Sequence, residues 1–158
     1  MATLSGLDKV LRNLRSGIKK IDGATAKGLL RGALVVRSAS MRLTPVVTGN
    51  LRGSTYVSTS WMGPVASSGT PEHNAIVSAQ TQVLSADAKG GSSPLVEIGF
   101  TAVYALRVHE TPSAGKTGRP GASEVGQWKF LLTALRASEA RVMELIALEA
   151  KRALAGPP

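Results

Sequence analysis

The period of the apolar residues changes twice along this chain, and that change constrains the fold more than any other feature. Leu4, Leu7, Leu11, Leu14, Ile18 and Ile21 recur at intervals of three and four, the spacing that lines one stripe of a helix. Leu29, Ala33, Val36 and Leu43 carry the pattern beyond Asp22-Gly23, so this segment reads as one bent helix or a helix pair. Pro45 ends it, because proline disfavours helical geometry at Thr44 and has no N–H to give.

Beyond Gly49 the period becomes two. Ser54 to Trp61 is rich in β-prone residues and reads as a strand. Val77, Ala79, Thr81 and Val83 alternate with Ser78, Gln80 and Gln82, which places a second strand over 75–84, and Ala88 to Ser93 has the composition of a hairpin turn. Leu95 to Phe100 makes a third strand. Val103 to Glu110 reads as a short helical turn, with a fourth strand as the alternative. From about Glu124 to Ala153 the spacing is helical again, through Phe130, Leu131, Ala134, Leu135, Val142, Leu145 and Ile146.

The order is therefore helix, strands, helix: an α+β chain with a long N-terminal helix or helix pair, a mainly antiparallel sheet of three or four strands, and a long C-terminal amphipathic helix. A chain of 158 residues forms one domain with ease and two only with difficulty. Two stretches rich in Gly, Pro and Ser, about 63–74 and 111–123, read as mobile loops within it. Helices are expected on one sheet face, leaving the other, rich in Ser, Thr and Gln, wet or against a neighbour.

The net charge of +9 is concentrated at one end: residues 1–54 hold ten basic and two acidic groups. Lys9, Arg12, Arg15, Lys19 and Lys20 form a basic stripe opposite the apolar one on the first helix. Such a field attracts nucleic acid, membranes and acidic proteins alike. No aromatic residue lies in residues 1–54 to stack on bases, so phosphate contact is open to this segment and base readout is not indicated.

Groups for catalysis are few. There is no cysteine, which excludes a thiol nucleophile and thiolate metal sites, and His73 and His109 are the only imidazoles. His109 and Glu110 form the best local acid–base candidate, but neighbours in sequence point different ways, and the spacing argues against a direct pairing. His73 is expected solvated in the first loop. Gly115-Lys116-Thr117 lacks the earlier glycine and the following helix of a phosphate-binding loop, and reads as linker. The expectation is a chain with no catalytic, cofactor or metal site. No window approaches 18 consecutive apolar residues, and Asp8 and Lys9 interrupt any secretory signal.

Three segments in order carry a resemblance: Pro45-Val46-Val47-Thr48-Gly49-Asn50-Leu51-Arg52-Gly53-Ser54, then Tyr104-Ala105 with Val108 and Glu110-Thr111, then Phe130-Leu131-Leu132-Thr133-Ala134-Leu135. Together, over about residues 20 to 150, they resemble the tail-completion and neck components of tailed bacteriophages. Those proteins show a helix, a P-x-x-T-G-x-L-R-x-S turn, strands, a Y-A-x-x-V-E segment and a P-F-L-x-P-A-L helix start. This chain departs from the pattern at His109 and Thr111, which flank the glutamate, and at Lys129 and Thr133, where prolines would stand.

The resemblance implies a virion structural protein of the head–tail connector. It would assemble as a ring, hexamer or dodecamer, between other head-completion and tail proteins, with DNA passing through the channel and no membrane partner. It would be made in the host cytoplasm and end at the head–tail junction. Pro45 and Gly49 are expected to shape the turn, Leu51 to begin a buried alternation, and Tyr104 and Phe130 to anchor the core. Arg52, the five bases of the first helix, Lys116 and Arg119 are the candidate partner contacts. The other reading is a basic accessory protein that holds DNA through phosphates, and a hydrolase built on His109 and Glu110 stands behind both.

Overall fold

The computed structural model describes residues 5–46, 49–66, 70–90, 93–112 and 126–155. Helix α1 (Ser5–Leu43) is followed by a one-turn helix α2 (Asn50–Gly53), strands β1 (Thr55–Thr59) and β2 (Gly63–Ala66), helix α3 (Pro71–Gly90), strand β3 (Val96–Phe100), a short helix α4 (Ala105–Glu110) and helix α5 (Phe130–Ala155). The three strands form an antiparallel sheet in the order β2-β1-β3. The chain is thus α+β, with its two longest helices at either end of the sequence.

α1 runs through Asp22-Gly23 without a break, which settles the choice between one helix and two. Its second half packs against α5 in the most extensive contact of the molecule. Small residues make this approach close. A Cβ on Gly28 would stand 2.6 Å from the Ile146 backbone, and one on Gly32 would stand 2.7 Å from the Val142 side chain. Arg31 pairs with Glu149 at 2.5 Å across the same seam, and Arg152 reaches Glu149 at 3.1 Å.

The middle of the chain departs from its sequence reading. The segment expected as a strand over 75–84 is the core of α3, and the expected hairpin turn begins with that helix's last residues. The alternation of Val77, Thr81 and Val83 is real, but a second set, His73, Val77 and Leu84, has helical spacing, and it is the set that is buried. Thr70 starts the helix by accepting bonds from the backbone N–H groups of His73 and Asn74, with Pro71 in the first turn where its missing N–H costs nothing. The expected loop over 63–74 accordingly holds β2 and the start of α3. Most of the second expected loop, including Lys116 and Arg119, lies outside the described residues.

α3 also covers the sheet face expected to be wet or against a neighbour. Ser58 shares a hydrogen bond of 2.6 Å with Thr81 of α3, and Tyr56 meets His73 edge-on, so the even positions of β1 face α3. By alternation Thr55, Val57 and Thr59 face the opposite side, and all five residues of β1 are buried. A buried strand so rich in hydroxyls must bond them internally. Thr55 donates to the Arg52 carbonyl at 2.7 Å, while Thr59 donates to Gly63 at 3.2 Å and accepts from the Met62 N–H at 3.0 Å.

Candidate interaction surfaces

Pro45 is buried just past the end of α1, and the Leu43 carbonyl there accepts the N–H of Gln127 at 2.9 Å. Gly49 has φ +83°, where a side chain is strained, and its carbonyl accepts the Gly53 N–H at 2.9 Å. Leu51 is buried, but on α2 and not on an alternating strand. Arg52 bends back so that its guanidinium reaches the Thr44 carbonyl at 3.4 Å, while its Nε is buried without a bond. Arg52 thus serves the end of α1 from within the chain.

The turn, α4 and the start of α5 converge. Leu51, Ala105 and Phe130 form one core cluster, with Leu43, Phe100, Ala102, Val108 and Leu131 against it. Phe130 is 1% exposed and meets Phe100 edge-on at 5.0 Å. Tyr104 corrects its expectation as a core anchor: it stands at the N-cap of α4, 44% exposed, because the turn that buries Ala105 directs its neighbour outward. Lys129 has φ +53° at the entry to α5, and its N–H bonds the His109 carbonyl at 2.7 Å. Proline, fixed near −65°, could not take that conformation.

The two histidines sit in separate clusters. His109 does pair with Glu110, Nδ1 to Oε1 at 2.7 Å, contrary to the expectation from their spacing. The pairing follows from the ring's packing edge-on against Phe130 at 4.9 Å, which turns Nδ1 toward the neighbouring carboxylate. His73, expected solvated, is 4% exposed on α3, with Nδ1 hydrogen-bonded to Thr101 Oγ1 and Nε2 buried without a bond. Burial lowers its pKa. Nearby, Tyr56 donates to the Glu97 carboxylate, and burial, reinforced by that bond, holds the phenol well above its ordinary range. Both clusters stitch elements together. Among the described residues no group of three or more His, Asp or Glu side chains is placed to hold a metal ion.

No protein-family model, no curated protein and no solved structure matches this chain. Among its described surfaces the first half of α1 is the most distinctive. Ala24 is the first buried residue along α1 among those whose side chains are described. Ahead of it, Arg12, Arg15, Lys19 and Lys20 line a shallow open groove, as the basic stripe implies. The apolar stripe does not follow expectation. Val10, Leu11, Leu14, Ile18 and Ile21 are all exposed, Leu14 at 58% and Ile18 at 57%. The Gly28–Ile146 and Gly32–Val142 contacts explain most of this: counted along the antiparallel pair, α5 ends level with about residue 19, so α1 up to Ile18 continues beyond its cover as an arm, and Ile21, level with the last turn of α5, is 39% exposed. The side chain of Leu7 lies outside the described residues. No helix among the described residues is long and apolar enough to cross a membrane.

Proposed function

We propose that this chain is a structural subunit of the head–tail connector of a tailed bacteriophage, which joins head and tail by assembling into a ring. The observation that carries the reading is the convergence of Leu51, Ala105 and Phe130. Each comes from one of the three segments that bear the resemblance, and the three meet in a single cluster although up to 79 residues separate them in the chain. The exposed apolar arm supports the assembly part of the reading, since contiguous apolar surface on a soluble chain marks a binding face.

A ring subunit needs two different faces that meet head to tail and close by rotation. In this reading the clusters around buried His73 and partly exposed His109 are structural, and the chain works by geometry rather than turnover. The test is assembly in the infected cell. Removing the gene should leave full heads and finished tails that do not join, and purified protein added back should restore infectivity. Joined particles without the protein would refute the proposal.

One observation favours the second reading, a protein that grips DNA by its phosphates: Lys9, Arg12, Arg15, Lys19 and Lys20 all lie on exposed positions of one helix. Duplex DNA binding whose logarithm falls linearly with the logarithm of salt concentration, lost when these bases become Gln, would establish it. Binding that does not respond to their replacement would remove it.

A further inference from the structure

The arm of α1 and the outer face of α3 are complementary in pattern, length and charge. The four central apolar residues of the arm, Leu11, Leu14, Ile18 and Ile21, follow intervals of three, four and three. On α3 the buried side is fixed by His73, Val77 and Leu84. The opposite side presents Ile76, Ala79, Val83 and Ala86, all exposed, at the same intervals. Such rows interlock when two helices pack side by side. From Ser5 to Gly23, the stretch ahead of the first buried residue, α1 is about 28 Å long, and α3, at 20 residues, is about 30 Å. Within one chain α1 and α3 make no substantial contact, because α1 is a single unbroken helix whose second half lies against α5.

We propose that the arm of one copy packs antiparallel along α3 of a neighbouring copy. The inference deepens the ring reading above by naming its contact. Charge selects the partner. The arm carries five bases against two acids, so a second arm would repel it, and α5 has four bases against three acids. Of the three long helices only α3 is acidic, with Glu72 and Asp87 against Lys89. Charge also selects the direction. Antiparallel pairing of the two apolar rows brings Leu14 to Val83 and sets Asp87 level with Val10, far from Asp22. Parallel pairing would set Asp87 level with Asp22, carboxylate against carboxylate. Such a contact joins two different surfaces, so each copy can both give an arm and receive one, and the chain of contacts closes into a ring or extends.

The chain contains no cysteine, so an introduced one has a unique address. The variants Leu14→Cys and Val83→Cys, each at an exposed position, are mixed and oxidised. The expected product is a disulfide between one copy of each, with neither variant coupling to itself. Leu14→Asp or Val83→Asp, each at an exposed position, should weaken association at least tenfold by analytical ultracentrifugation. Self-coupling of Leu14→Cys would overturn the proposal in favour of paired arms, and coupling of Leu14→Cys to Ala79→Cys would overturn the antiparallel register. A chain monomeric at 100 µM overturns it too, as does one that stays monomeric and floats with phosphatidylserine vesicles. A confirmed contact in a protein that never joins heads to tails would leave this inference standing and remove the connector function.

Discussion

Two glycines of α1 should respond in opposite directions to the same substitution. Gly23 has nothing within 4 Å of where a Cβ would stand, so Gly23→Ala adds only helix propensity, worth about 1 kcal/mol. Gly28→Ala gains the same propensity, but its new methyl would lie 2.6 Å from the Cα of Ile146. That atom belongs to the backbone of α5 and cannot turn aside, so the helices must separate, which also loosens the Gly32–Val142 contact. Overpacking of this kind costs about 1–3 kcal/mol, and with a backbone obstacle the upper part of that range applies. The net effect is a loss of about 1–2 kcal/mol. In a chain of this size 1 kcal/mol moves Tm by about 2–4 °C, so the two variants should fall on opposite sides of the parent. Urea titration followed by far-ultraviolet circular dichroism at low protein concentration measures both. A Gly28→Ala variant as stable as Gly23→Ala would refute the close α1–α5 seam.

At the turn, Gly49→Ala should destabilise by about 1–2 kcal/mol, the cost of a side chain at positive φ, while Gly53→Ala four residues on should be near neutral by thermal melting. A double-mutant cycle on Arg31→Ala and Glu149→Ala should give a coupling of about 0.5–1 kcal/mol that shrinks with added salt, because Arg31 is half exposed although Glu149 is not. Stability should fall as pH drops below about 6.5, where the unfolded chain protonates His73 while the folded chain, its pKa lowered by burial, resists. That loss saturates below the folded pKa, and His73→Gln should flatten this part of the profile in pH-dependent urea melts.

The two end helices and the strands at Thr55–Thr59 and Val96–Phe100 were legible because period, β-branched residues and a terminating proline agreed there. α3 was not, since Val77 and Thr81 fit a period of two and a period of 3.6 equally well, and small exposed alanines left no strong stripe to decide. The Thr70-Pro71 start was the available signal. The interaction surface was half legible: spacing defined an apolar stripe on α1, but its exposure depends on where α5 stops, a property of the packed pair. The same holds for Tyr104 and His109, whose surroundings are set by how α4 lies against Phe130.

One rod links the exposed end of this molecule to its interior. A helix of 39 residues is about 58 Å long, and half of α1 is clamped against α5 by contacts too close to slide. Force applied at the free half is therefore delivered as torque at the clamp. A tilt of about 10° there would sweep the tip of a 28 Å lever through roughly 5 Å. The far end of the rod abuts Pro45 and the turn at Gly49, so a pull on the lever is felt at the opposite pole of the molecule.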